Sequence, residues 1–360
     1  MRIAMLVPGL APHDAVSNDT LGMTRALRAQ GHEVALFAPH ARGVDEPVHA
    51  PAEAESFLRS PDDVVVYHYC VGWDFAQALF ERTRARRVLR YHNITPPEFF
   101  SEWSDGYVAA CAEGRGQIDV YARLGCELYL GCSPYNLEDF LARGIPPERC
   151  AVLPPFHEVE QLRGLAPDAR RLPKGEPLLL MVGRLAPNKA HVDLIDTLAA
   201  LRAMGAPSAH LLSAGKLDPN LSRYGEALHE RIHVRDVEEA VTLMQDASGA
   251  ELRAAFERAD AMLMLSRHEG FCVPLIEAMA LGTPIVARAT SAIPWTLGDA
   301  GLLFDTADPH TIAAAVLRVQ RDAELREHLR AAGRARYAAV FAPAVLERGL
   351  ADAMTKVARR

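Results

Sequence analysis

Two pairs of charged residues, each lying between an apolar run and a helical run, carry the chemistry open to this sequence. Glu269 and Glu277 are separated by seven residues within SRHEGFCVPLIEAMAL (266–281), after the apolar run AMLML. Pro274 suits the first turn of a helix, where its missing N–H would be unpaired anyway. Glu269 then falls in the loop at a strand's carboxyl end, and Glu277 about one turn into the next helix. Backbone N–H groups near Val273 and Leu275 face the same mouth, which suits an anion. Two carboxylates there suit hydroxyls, because each can accept hydrogen bonds from both arms of a vicinal diol. The competing reading is that both glutamates simply favour a helix start and solvent. The second pair lies in VGRLAPNK (182–189), again after an apolar run, LLLMV. Gly183 permits close backbone approach. Arg184 and Lys189 oppose the dipole of the helix they precede, so they make sense with an anion between them, one as a fork and one as a point charge. Two solvated surface cations is the alternative.

Alternating strands and helices must position these residues. Apolar runs at 3–7, 33–38, 63–69, 87–92 and 127–131 are separated by helical stretches, the βαβ pattern of a parallel sheet. The rhythm breaks between 153 and 177, which carries Pro154, Pro155, Pro167, Pro173 and Pro177. It then restarts, with strands expected at 178–182, 210–214, 240–244, 261–266, 284–287 and 301–304, and helices at 189–204, 250–259, 274–281 and 309–337. A last amphipathic helix is expected at 343–358. The fold class expected is α/β, with two doubly wound units. The division is 1–160, a Pro-rich linker 161–177, 178–340, and a C-terminal helix within 341–360. Ligands of such units bind at the carboxyl ends of the strands.

At 360 residues, with 49% hydrophobic and 24% charged residues, the chain can bury two cores. Its net charge of −7 argues against broad nucleic-acid binding. The six cysteines include no C-x-x-C pair and no histidine at zinc spacing, and no D-x-D motif occurs, so no metal is expected. Reduced cysteines and the lack of any run of ~18 apolar residues point to a cytoplasmic protein. The basic run Arg82, Arg84, Arg86, Arg87 and Arg90 offers two readings: contact with an anionic membrane face, or the cationic end of a helix.

GRLAPNK together with HEGFCVPLIEAMALGTPIVA resembles the large family of retaining glycosyltransferases with the GT-B fold, the glycosyl transferases group 1 type. The resemblance is specific in the C-terminal half and loose in the N-terminal half. It implies two Rossmann-like domains facing across a cleft, with the C-terminal helix crossing back to the N-domain. It implies catalytic roles for His92, Arg184, Lys189 and Glu269. Arg184 and Lys189 would grip the donor's pyrophosphate, Glu269 with the N–H groups of Gly270, Phe271 and Cys272 would hold sugar hydroxyls, and Glu277 would bind the ribose. His92 would face the reacting sugar. Gly9, Gly183 and Val273 complete the donor contacts. The nucleotide-sugar donor is a substrate, so no cofactor is implied.

Two departures from the family pattern and one unusual segment mark what the resemblance leaves open. The first loop, residues 8–19, has the single Gly9 where relatives carry a glycine pair, and its His13 is a candidate acceptor contact; Ser17, Asn18 and Asp19 also suit the cap of the next helix. Gln245 stands where relatives often have glycine, near the nucleotide base. Asn93, Phe99 and Trp103 offer an acceptor groove or, for the aromatics, a staple for the following helix. The reaction implied moves a sugar from a UDP- or GDP-linked donor to an acceptor hydroxyl with retention, in polysaccharide, glycolipid or glycoside synthesis. The acceptor and oligomeric state are not legible. An epimerase or phosphorylase of the same fold, and a non-catalytic nucleotide-sugar-binding protein, remain as alternatives; a dehydrogenase does not, since no G-x-G-x-x-G follows the first strand.

Overall fold

The structure is a computed structural model that describes residues 1–359; the last position of the expected 341–360 segment lies outside them. The chain divides into two compact units, the first made of Met1–Pro97, Val108–His157 and the chain from Phe341 on, the second of Glu98–Tyr107 and Glu158–Val340.

In the first unit the strands are β1 (Arg2–Leu6), β2 (Glu33–Phe37), β3 (Val48–His49), β4 (Val64–Tyr69), β5 (Arg86–Tyr91), β6 (Leu128–Gly131) and β7 (Cys150–Val152). They form one parallel sheet in the order β3-β2-β1-β4-β5-β6-β7. The second unit holds β8 (Leu178–Val182), β9 (His210–Ala214), β10 (Val241–Met244), β11 (Ala261–Met264), β12 (Ile285–Arg288) and β13 (Leu302–Phe304), ordered β10-β9-β8-β11-β12-β13 and also parallel. Both orders reverse beside the unit's first strand, the arrangement of dinucleotide-binding folds. The α/β class and the two parallel sheets are those expected. Strands covered on both faces read as continuous apolar runs, and this made them legible. The edge strands β3 and β7, each with an exposed residue, carry no such run.

Side chains alternate between the two faces of the first sheet. One face buries Ala4, Leu6, Tyr67, Tyr69 and Tyr91. The other buries Ile3, Met5, Val64, Val66, Val88 and Leu128 against Leu346, Leu350, Ala353, Met354 and Val357 of the last helix, Pro343–Ala358. The last helix thus supplies part of the first unit's core.

Several expectations need correction. Helix Ser222–Val234 was not expected. The long helix at 309–337 is two, Pro309–Arg321 and Ala323–Arg336, because Asp322 stops the first and caps the second, accepting the Leu325 N–H at 2.9 Å. The 161–177 stretch is not a free linker: Val159–Gly164 is helical, Asp168 N–H bonds the Ala250 carbonyl, and Leu172 is buried. Its prolines shape a packed loop. Helix Ala15–Ala29 is capped by Asp14, which accepts the Ser17 N–H at 2.8 Å, rather than by Ser17, Asn18 or Asp19.

Released from capping, Asp19 turns inward and pairs with Arg90, both fully buried, at 2.8 and 3.2 Å. Arg90 also donates to the Leu153 carbonyl at 2.6 Å, and Asp19 accepts the Phe156 N–H at 2.8 Å. Burial acts to raise the Asp19 carboxyl, but the charge and hydrogen bond of Arg90, together with His92 and His68, outweigh it and leave Asp19 below its ordinary range. Breaking such a pair strands a buried charge. Arg90→Met is therefore expected to cost about 3–5 kcal/mol, read as lost amide-exchange protection in β4 and β5, while Asp19→Leu added to it recovers part of the loss.

Candidate active site

The sequence-derived site of the second unit lies where its strand order reverses. β8 and β11 are neighbours, with Leu179 opposite Ala261 and Leu180 opposite Met262. The loops that follow them, separated by about 80 residues in the chain, therefore emerge side by side at the carboxyl edge of the sheet, where ligands of such sheets bind. Gly183 opens the first loop at φ +153°, a conformation that favours glycine. A Cβ at Gly215, after β9, would run into the Gly183 carbonyl, so both glycines are needed for the two loops to close on each other. The loops are then stitched by Gly183 N–H to Ala214 O at 3.0 Å and Leu185 N–H to Lys216 O at 2.9 Å. Arg184 stands exposed, while Pro187–Lys189 make one tight turn that sets Lys189 before helix His191–Ala203.

Lys189 Nζ donates to both oxygens of Glu269, at 2.7 and 2.8 Å, with both side chains largely shielded. The two motifs of the sequence are thus joined by direct contact. The Glu269 loop is braced on both sides. Its N–H bonds Ser291 Oγ at 2.8 Å, and Ala292 N–H bonds its carbonyl. Asn188 Nδ2 bonds the His268 carbonyl at 3.2 Å, and Arg267 N–H bonds the Asn188 carbonyl at 2.8 Å. Thr296 Oγ1 bonds the Phe271 carbonyl at 2.7 Å. Gly270, Phe271 and Cys272 complete the loop. Cys272 takes the left-handed conformation, φ +77°, from which helix Val273–Leu281 departs.

The N–H of Leu275 is not open to a ligand, since the Cys272 carbonyl accepts it at 3.1 Å. Pro274 has none, so Val273 is the residue of this pair left to offer one. Glu277, one turn along, is half-buried. Desolvation pushes its carboxyl up to about 7. This second unit therefore presents two cations, a braced carboxylate, and a carboxyl poised near neutrality. That set can hold a polyanion beside hydroxyl groups.

In the first unit, Gly9 follows β1, and the exposed His13 takes φ +59° before the Asp14 cap. His92 follows β5. Its Nε2 lies 3.1 Å from His68 Nδ1 and 3.5 Å from Asp19 Oδ2, and its Nδ1 lies 3.6 Å from Cys132 Sγ. Both ring nitrogens are engaged inside the unit, so His92 does not present a free nitrogen at the surface. Burial holds its imidazole well below the ordinary range and His68 at about 4. Asp19 Oδ2, His68 Nδ1 and His92 Nε2 are close enough to share a metal ion. However, Asp19 already accepts the buried Arg90 guanidinium, which opposes a second cation. Asn93, next in the chain, takes φ +69°, and its buried side-chain oxygen has no partner among the described residues.

The inward network of Asp19, His68 and Arg90 escaped sequence reasoning. Polar residues in β4 and β5, otherwise apolar runs, were the signal available. Arg90 also leaves the supposed basic patch, and ion pairs engage three of its neighbours, Arg82 with Glu55, Arg86 with Asp62 and Arg87 with Glu127, while Arg84 is exposed. Among the described residues, no helix is long and apolar enough to cross a membrane.

Phe99 and Trp103 each pack against a ring of the second unit. Phe99 lies against His268, ring centroids 5.9 Å apart, and Trp103 meets Tyr224 edge-on at 5.2 Å. Gln245 is exposed after β10. Its Oε1 accepts the Leu217 N–H at 3.1 Å, and it borders a cavity of about 400 Å³ with His229, Ile232 and Leu243.

Comparison with known proteins bears on this geometry. Residues 165–336 match the model of the glycosyl transferases group 1 family. A D-inositol 3-phosphate glycosyltransferase of Stackebrandtia nassauensis is 32% identical over 204 residues, covering 54% of this chain and 46% of the relative. The chain thus spans about half the length of the curated relatives it matches. Among solved structures, the Anabaena protein HepE in complex with UDP superposes with a TM-score of 0.76 at 16% identity, over 99% of this chain and 100% of the other. The sucrose-phosphate synthase of Thermosynechococcus elongatus gives 0.75 at 19% identity, over 99% of each chain. Residues 165–336, which carry Arg184, Lys189, Glu269 and Glu277, therefore belong to the glycosyl transferases group 1 family, within a chain of the GT-B fold.

Proposed function

We propose that this protein is a retaining glycosyltransferase that moves a sugar from a nucleoside diphosphate sugar, UDP- or GDP-linked, to an acceptor hydroxyl. The observation that carries the reading is the contact of Lys189 with Glu269 at the β8/β11 reversal, with Arg184 on the first of these loops and Glu277 in the helix that follows the second. A diphosphate needs cations, a sugar needs a braced acceptor of hydroxyl hydrogen bonds, and a ribose needs a second one. The HepE structures with UDP and with UDP-glucose support a uridine donor.

In this reading Arg184 and Lys189 grip the diphosphate. Lys189 also fixes the orientation of Glu269, whose remaining lone pairs take sugar hydroxyls. Glu277 takes the ribose. The bond from the anomeric carbon to the phosphate oxygen breaks while the bond to the acceptor oxygen forms on the same face. The acceptor's proton passes to the departing diphosphate. The two cations and the helix start at Val273 stabilise the charge that develops there. No protein nucleophile is required, unlike the two-carboxylate glycosidases. These cations do the work a divalent metal does elsewhere, so EDTA is expected to leave turnover intact. The acceptor is a saccharide, a lipid-linked sugar or a small polyol, and inositol phosphate belongs in the first screen because of the relative's name. The six free cysteines support a cytoplasmic setting.

Calorimetric titration with UDP, GDP, ADP and dTDP tests the donor half directly. One of them is expected to bind, and binding by none would reject the reading. Arg184→Ala and Lys189→Ala should each lower kcat/KM by about 2–4 kcal/mol in transition-state terms; transfer at the wild-type rate by either variant would remove it from the diphosphate site. Glu277 gives a pH signature without ligand. Its raised carboxyl contributes stability that is present below its unfolded value of about 4.5 and is lost as pH rises through about 7. The melting temperature of Glu277→Gln should therefore gain on wild type between pH 5 and pH 8. A gap that stays constant over that range would mean that Glu277 is already solvated.

A further inference from the structure

Residues 98–107 continue the first unit's chain after β5, yet they belong to the second unit. Their aromatic side chains meet it at three places. Phe99 lies on His268, the residue before Glu269. Trp103 lies on Tyr224, whose hydroxyl accepts the His191 N–H two residues after Lys189. Tyr107 donates from its hydroxyl to Asp218 Oδ2 at 2.8 Å, in the loop after β9. Each contact thus falls beside one element of the proposed donor site, the last of them beside Arg184.

We propose that Tyr107 is a positioning residue for Arg184, keeping the guanidinium available to the donor's diphosphate by occupying Asp218. The argument is one of charge. Asp218 is the carboxylate whose charge interacts with Arg184, and its oxygens are otherwise held by the Asn220 N–H at 2.8 Å and Asn220 Nδ2 at 3.0 Å, both on Oδ1. Oδ2 is the oxygen left to reach a guanidinium; the Tyr107 hydroxyl donates to it and itself interacts with Arg184, so the phenol stands between the two. A planar fork and a bare carboxylate form a bidentate pair readily. Such a pair would neutralise Arg184 in the way Glu269 already engages Lys189. With the phenol interposed, Arg184 remains exposed and in ion-pair contact with no carboxylate among the described residues. The Tyr107 ring is held independently by Phe100, centroids 4.8 Å apart, so removing the hydroxyl leaves the packing in place.

The proposal rests on the reading of Arg184 as a diphosphate ligand, and the test separates the two. UDP and uridine are titrated into wild type, Tyr107→Phe, Tyr107→Phe with Asp218→Asn, and Tyr107→Phe in an Arg184→Ala background. Tyr107→Phe is expected to weaken UDP about tenfold, the scale of one hydrogen bond to a charged group, and to leave uridine unchanged. Adding Asp218→Asn, which cannot capture Arg184 as an ion pair, should restore UDP binding. In the Arg184→Ala background the Tyr107 substitution should have no effect. Equal UDP affinity in Tyr107→Phe and wild type overturns the proposal while sparing the donor site. So does a loss that persists without Arg184 or is not rescued by Asp218→Asn. Failure of wild type to bind UDP or any other of the four diphosphates overturns the donor site, and this proposal with it.

Discussion

The double hydrogen bond from Lys189 to Glu269 is the constraint around which the second unit's site is built. Neither residue could be left alone in so shielded a place, because an unpaired charge there costs several kcal/mol, at about the scale seen when buried pairs are broken. Their pairing requires that two loops distant in the chain emerge together, and only the adjacency of β8 and β11 at the reversal provides that. The glycine at 183, the close pass at Gly215, and the bracing of residues 268–271 by Asn188, Ser291 and Thr296 all serve that meeting. The pair also fixes what a ligand encounters: a carboxylate already oriented and a cation already half-used.

What the residues disclosed follows from where their information lies. Apolar runs showed eleven of the strands because parallel strands are covered on both faces, and the order of βα units implied their class. The site motifs were legible for a related reason. A glycine, two cations and two carboxylates placed just after strands have few structural uses. What stayed hidden depends on partners far away in the chain. Asp19 looks like any residue of a helix's first turn until Arg90 is seen across the sheet from it. Phe99, Trp103 and Tyr107 look like the start of a helix, and only their contacts with His268, Tyr224 and Asp218 give them a place in the second unit. The proline-rich 161–177 stretch misled because composition marks irregular backbone, whether packed or free.

The first unit uses its polar residues differently. Asp19, His68, Arg90 and His92 are turned inward, with the histidines kept neutral by burial. A neutral imidazole between a carboxylate and a thiol serves as a rigid brace, and it holds the start of the 92–97 turn, where Asn93 takes a left-handed conformation at φ +69°. A non-glycine residue in that region needs its surroundings to hold it there.

The last helix gives the chain an unusual schedule. Leu346, Leu350, Met354 and Val357 cover a face made of β1, β4, β5 and β6, so a core begun by residue 3 is closed by residue 357. On a ribosome, where segments emerge from the amino end first, the second unit has all its strands available before the first can complete its packing. One apolar sheet face, covered in part by Met23, Ala26 and Leu27 of the first helix, waits for the rest of its cover until residue 357 has emerged. Completion of the first unit's core is thereby tied to synthesis of residues 343–358, and a product interrupted before them would keep part of that face uncovered.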